Sequence, residues 1–225
     1  MTNLDKPFNK YFDHTLLKPD ASNSEIEKLC DEAIKYDFYS VCVNPFYVSL
    51  SKSLLRGTDV NVCSVVGFPL GASETEIKIM EAQAACNNGA NEIDMVINLG
   101  AVKNRNYESV KAEIQKIALL CHNHEALLKV IIETCLLDKA EIISVSRLVE
   151  DAGADFVKTS TGFSSYGADI DSLKLIKKSV SENMRIKASG GIRDLNTAIS
   201  MINAGVDRIG TSKSVEIMNE YFLTV

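Results

Sequence analysis

FVKTSTG, residues 156–162, sets a lysine inside a short apolar strand and follows it with a hydroxyl-rich turn that ends on glycine. A strand covered on both faces should hold no unpaired ammonium, because burying that charge is expensive or strips it of its proton. Two further runs repeat the pattern: LLKVIIET, residues 127–134, and RIKASGG, residues 185–191. Lys129, Lys158 and Lys187 thus fall on three consecutive predicted strands. That recurrence points to one shared site.

Working outward from these runs, strand-like and helix-like segments alternate along the whole chain. Strands are predicted at 10–14, 40–44 (SVCVN), 61–68 (NVCSVVGF), 92–98 (EIDMVIN) and 208–210, besides the three lysine-bearing runs. Between them lie helical patterns. Ser22 is a predicted N-cap for a helix with apolar residues at Ile26, Leu29, Ala33 and Ile34. Pro45 opens the next helix, and another starts near Ala72 and Ser73 and stops at Gly89. Later helices cover about 107–124, begin at the caps Asp138, Asp169 and Asp194, and close the chain from about 212 to 221. Eight strands alternating with eight helices require a parallel sheet with helical crossovers. An open doubly wound sheet would carry a GxGxxG turn after its first strand, and none follows there. The prediction is therefore an α/β single domain over residues 1–225, an eight-stranded (β/α)8 TIM barrel.

Composition narrows the function. The chain has 225 residues and a net charge of −6, which argues against a nucleic-acid-binding surface, and 46% hydrophobic residues, enough for a full core. No run approaches the length of a membrane span, and the first residues lack a signal-like apolar core, so a cytoplasmic protein without membrane partners is expected. Six cysteines occur without a CxxC pair. They read as reduced, buried thiols, not as a metal site or a disulfide framework.

In a barrel of this type chemistry gathers at the C-terminal ends of the strands. Strand four offers Asp94 there, beside the three lysines. Two ammonium groups about 4 Å apart, at an effective dielectric near 20, repel by roughly 4 kcal/mol, enough to bring one lysine near neutrality at physiological pH. A neutral lysine attacks carbonyls and forms a Schiff base that serves as an electron sink, with no metal or cofactor, while a carboxylate such as Asp94 shuttles the proton. Lys158 is the better nucleophile candidate, because Phe156, Val157 and Phe163 surround it with apolar groups. A salt-bridge network without catalytic role is the competing reading. The turns TSTG (159–162), SGGIR (189–193) and IGTSKS (209–214) follow strands six to eight, where barrels commonly hold a phosphate on backbone N–H groups. Gly190, Gly191, Gly210 and Ser212 are the predicted donors, with Ser214 behind them.

These segments, together with DHTLLKPDA (13–21), VCVNP (41–45) and VVGFPLGA (65–72), closely resemble the deoxyribose-phosphate aldolases, a class I aldolase family. The resemblance runs nearly end to end. It implies reversible cleavage of 2-deoxy-D-ribose 5-phosphate to acetaldehyde and D-glyceraldehyde 3-phosphate, in deoxyribonucleotide catabolism. By that likeness Lys158 matches the Schiff-base lysine, Lys187 the pKa-setting lysine and Asp94 the acid/base aspartate. Lys129 matches a further active-site lysine and Asp13 an aspartate paired with the pKa-setting one. Cys42 aligns with a pocket cysteine, though a packing thiol is the plainer reading of it. Thr161, Gly162, Gly191, Gly210 and Ser212 fall on positions that bind the substrate's hydroxyl and phosphate. Phe163 stands where some relatives carry a phosphate-assisting lysine, Lys213 stands where others have serine, and the tail at Tyr221 is shorter than in relatives that bring a terminal tyrosine to the site. The partner expected is a small phosphosugar. The alternatives are an aldolase for another phosphosugar and a non-catalytic sugar-phosphate-binding barrel. Oligomeric state is left open, a homodimer among the options.

Overall fold

The computed structural model describes residues 4–224, so the outermost ends of the 1–225 span, Val225 of the tail included, lie outside it. Eight parallel strands close into one barrel in sequence order: β1 Phe12–Leu16, β2 Ser40–Val43, β3 Asn61–Val66, β4 Glu92–Val96, β5 Leu127–Ile131, β6 Phe156–Lys158, β7 Arg185–Ser189 and β8 Arg208–Thr211. The helices outside are α1 Asn23–Lys35, α2 Val48–Leu54, α3 Thr75–Asn87, α4 Leu99–Lys103, α5 Tyr107–Asn123, α6 Lys139–Asp151, α7 Ile170–Ser179, α8 Leu195–Asn203 and α9 Ser214–Phe222. The predicted single-domain TIM barrel is the architecture observed. Among the described residues, no helix is long and apolar enough to cross a membrane.

Local chemistry explains the helix starts. Ser22 with Glu25, and Asp138 with Glu141, form reciprocal capping boxes, and Asp169 and Asp194 accept from the third residue of their helices. Each such cap stabilises its helix by about 1 kcal/mol. Several predicted boundaries shift: β3, β4, β5 and β7 end two or three residues early and α3 starts at Thr75. β1 begins two residues late because Phe8–Tyr11 forms a 3-10 turn, and Pro45–Tyr47 forms another before α2. β6 keeps only three residues before the hydroxyl turn begins. After β4 the chain makes two helices, since Asn98 caps a short first one and Asn106 restarts the second, with Arg105 at φ 55° between them.

The main apolar core lies between the outer faces of the strands and the helices, where Val41, Ile93, Val130 and Ile186 meet Ile26, Ile114, Val145 and Leu173. Met80 lies outside that core, 67% exposed on the outer face of α3. The barrel interior has a different composition. Among the described residues, a small apolar group of Leu17, Cys42, Cys63 and Val65 sits there, Phe156 lies against Lys129 and Arg185, and charged side chains fill much of the remaining inward space. Strand periodicity places the inward residues: Glu92 and Asp94 on β4, Phe156 and Lys158 on β6, each two residues apart and so on the same face.

Candidate active site

β1 and β4 to β8 deliver a closed cluster of four cations and three carboxylates into the barrel. Asp94 is its hub. One carboxylate oxygen, Oδ2, lies 2.7 Å from Lys158 Nζ and 2.7 Å from Lys187 Nζ, while Oδ1 lies 2.8 Å from Lys129 Nζ. Lys187 also meets Asp13 Oδ2 at 2.5 Å, and Lys129 meets Glu92 at 2.7 Å. Arg208 closes the circuit by contacting Asp13 at 2.6 Å and Glu92 at 2.7 Å. The backbone register brings these together: Asp94 is the Cα partner of Lys129, and Lys158 that of Lys187.

Burial decides how these charges behave. Burial pushes the Asp94 carboxyl upward, but the ammonium groups of Lys129, Lys158 and Lys187 outweigh it and hold that carboxyl well below its usual range. Asp13 is treated likewise, burial raising it and Arg208 and Lys187 bringing it lower still. Burial lowers Lys187 and Lys129, yet Asp13 and Asp94 around the first, and Asp94, Cys63 and Glu92 around the second, raise both above the ordinary lysine value. Lys129 and Lys187 are thus firmly cationic.

Lys158 occupies a different place. It lines a cavity of about 280 Å³ at the C-terminal mouth of the barrel, together with Gly162, Gly191, Gly210 and Ser212, whereas Lys129 and Lys187 are sealed beneath it. The expected apolar surroundings are not what distinguishes Lys158. Phe156 points to a deeper layer, against Arg185 and Lys129, Val157 faces the helices, and Phe163 is 54% exposed. Its ammonium is bound to Asp94 instead, and access to the cavity is what sets it apart.

Around the same mouth, hydroxyl groups knit the three glycine turns together. Ser189 Oγ donates to the Ser160 carbonyl at 2.6 Å, and Thr211 Oγ1 donates to the Ile192 carbonyl at 2.7 Å. Among the described residues, the backbone N–H groups of Gly162, Gly191 and Ser212 donate to no protein acceptor. Gly162, at φ 85°, lies so close to Gly190 that a Cβ there would stand 3.5 Å from the Gly190 Cα. Gly210 has another use. A Cβ at this β8 position would come within 3.0 Å of Lys187 Cε, so glycine leaves room for that lysine. Arg193 and Lys213 add positive charge at the rim, while Phe163 packs edge-on against Phe68.

The predicted residues are therefore brought together, with two qualifications. Thr161 borders the cavity, but its N–H and its hydroxyl both donate to Glu133. Cys42 is buried 3.9 Å from Asp94 Oδ2, beside Cys63, and does not line the cavity. Cys42, Cys63 and Asp94 form a compact donor set, yet a further cation there would face the ammonium groups already on Asp94. Sequence reasoning passed over Glu92 and Arg208. The period-two relation of Glu92 to Asp94 was the available signal for the first.

Comparison with known proteins follows this geometry. Residues 8–212 match the DeoC/LacD family aldolase. The chain is 53% identical over 210 residues to the deoxyribose-phosphate aldolase of Brevibacillus brevis, covering 93% of this chain and 94% of that protein. It is 52% identical over 211 residues to the deoxyribose-phosphate aldolase of Thermococcus gammatolerans, with coverage of 93% and 94%. A solved deoxyribose phosphate aldolase from Aeropyrum pernix, described as having a unique tetrameric structure, superposes with a TM-score of 0.90 at 35% identity over 97% of this chain and 92% of that one. With that match spanning nearly the whole barrel, the chain belongs to the DeoC/LacD family of aldolases.

Proposed function

We propose that this aldolase cleaves 2-deoxy-D-ribose 5-phosphate to acetaldehyde and D-glyceraldehyde 3-phosphate through a Schiff base on Lys158, and that it serves deoxyribonucleotide catabolism. The observation that carries the proposal is positional: of the three lysines on Asp94, only Lys158 opens to the cavity. Four cations face three carboxylates, so the cluster carries one surplus positive charge when all are ionised. Loss of one proton balances it. Lys158 is the cation that substrate can reach, and its proton leaves the cluster through the cavity to water, with Asp94 Oδ2, 2.7 Å away, placed to relay protons beside it.

The neutral amine adds to the C1 aldehyde of the open-chain sugar, and loss of water gives a protonated imine. As the C3 hydroxyl gives up its proton towards Asp94, the C2–C3 bond breaks. Its electron pair moves through C2 to the imine nitrogen, leaving an enamine, and glyceraldehyde 3-phosphate departs. A proton then returns to C2, and water hydrolyses the imine to acetaldehyde and free Lys158. Lys129 and Lys187 fix Asp94 beside the reacting atoms, where it relays the protons of these steps. The phosphate is held by the free N–H groups of Gly162, Gly191 and Ser212, with Arg193 and Lys213 beside them.

Cleavage followed through glyceraldehyde 3-phosphate release tests the reading. Wild-type protein should turn over deoxyribose 5-phosphate, and Lys158→Met should show none. Turnover by Lys158→Met, or wild-type activity only on another phosphosugar, would overturn it. We also propose that the protein self-associates as a homodimer, since Leu70, Ile77 and Met80 expose one apolar surface around α3. A monomer by light scattering at micromolar concentration would contradict that.

A further inference from the structure

Glu133 stands just past the end of β5 with its backbone at φ 52° and ψ 67°, a left-handed conformation that a residue with a side chain adopts only under constraint. Its carboxylate is buried, 1% exposed, and makes no ion pair among the described residues. Such a group is retained only where strong hydrogen bonds replace water. All its close partners but one belong to a single residue of the neighbouring turn. Oε1 accepts the Thr161 N–H at 3.2 Å, and Oε2 accepts the Thr161 hydroxyl; the Cys135 thiol lies 3.9 Å from Oε1. Thr161 Oγ1 in turn accepts the Phe163 N–H at 3.1 Å. The residue enclosed by that loop of bonds is Gly162.

The backbone on either side is already stitched to the lysine strand. Ile132 N–H donates to the Lys158 carbonyl at 3.0 Å, and Thr134 N–H to the Thr159 carbonyl at 2.9 Å. The strained Glu133 between them turns its carboxylate across the end of β6. From there it holds the turn that follows the reactive lysine.

We propose that Glu133 is a positioning residue that aims the Gly162 N–H at the anionic end of the substrate by locking Thr161, a role that rests on the phosphosugar reading above. Thr161 then has no N–H or O–H left to donate to the substrate. Its donors face Glu133, and its task is to fix Gly162 against Gly190. A carboxylate suits the task better than an amide because it accepts from both Thr161 donors at once, whereas glutamine would turn an NH2 towards one of them.

The test separates the phosphate end of the site from its lysine end. In Glu133→Gln, KM for deoxyribose 5-phosphate should rise about tenfold, the worth of one net hydrogen bond, while kcat stays within about twofold. Cleavage of unphosphorylated deoxyribose should be unchanged. Binding of inorganic phosphate, measured by calorimetry, should weaken by a similar factor. Glu133→Asp, too short to reach both donors, should behave like Glu133→Gln. If Glu133→Gln fails to fold, Thr161→Val, which removes one of the two bonds from the other side, should give the same selective loss. Equal losses on both sugars, or unchanged phosphate affinity, would overturn the assignment. Because phosphate binding is read without turnover, absence of aldolase activity in the wild type would sink the functional reading and leave this test standing.

Discussion

Replacing Lys187 by methionine removes one cation from the cluster while keeping the length of the side chain. Lys187 and Lys158 each lie 2.7 Å from the same Asp94 oxygen, so their nitrogens are at most twice that distance apart. Two unit charges about 5 Å apart at an effective dielectric near 20 interact by roughly 3 kcal/mol, which corresponds to about two pH units. The substitution also leaves three cations facing three carboxylates, so the surplus charge that favours proton loss disappears. Imine formation between acetaldehyde and the protein, followed by reductive trapping across pH 6 to 10, should then reach half its plateau about two pH units higher in Lys187→Met. The variant should remain folded, because Arg208 still holds Asp13 and Lys129 still holds Asp94. A folded variant whose profile coincides with that of the wild type would refute the argument that the Lys187 charge prepares its neighbour.

Asp94→Asn leaves four cations on two carboxylates and should destabilise the protein by about 3–5 kcal/mol in urea unfolding, besides lowering kcat at least 100-fold, the lower range for losing a general acid–base group. Asp13 and Asp94 are held below their unfolded carboxyl values, so their contribution to stability is present above about pH 4 and is lost as the pH falls towards their folded values. Urea midpoints between pH 3 and pH 6 should therefore climb with pH, and a flat profile would contradict the ion-pair account. Phe163→Lys places a cation at a half-exposed position of the rim and should lower KM for the phosphorylated sugar several-fold without changing KM for deoxyribose; an equal change in both would count against a phosphate subsite there.

Much of this site was legible in the sequence because its chemistry conflicts with its surroundings. A lysine inside an apolar strand is a local anomaly, and three in succession at strand spacing implied that Lys129, Lys158 and Lys187 converge. The helix caps at Ser22, Asp138, Asp169 and Asp194 were readable for the opposite reason, since they obey local rules. What escaped was whatever depended on closure of the barrel. Glu92 and Arg208 open their strands and look like solvent-facing ends, and only the curvature of the barrel carries them 2.7 Å from each other. Asp94 was legible beside the lysines as a proton shuttle, but not its place as the hub that contacts all three. A bare pair of ammonium groups explains less than the observed cluster, in which Asp94 binds all three lysines and total charge replaces simple repulsion. Glu133, within the run LLKVIIET, gave no sign of its role, because its partner Thr161 lies 28 positions away and its left-handed backbone has no signature in residue type.

The central claim is that one amine, opened to the cavity and backed by two fixed cations, forms a covalent bond with the substrate carbonyl. Incubation of the wild-type protein with acetaldehyde and borohydride, followed by peptide mapping in the mass spectrometer, tests it most directly. The account predicts a single ethyl group on the peptide carrying Lys158 and none on those carrying Lys129 or Lys187. An unmodified Lys158, or an adduct spread over surface lysines alone, would contradict it.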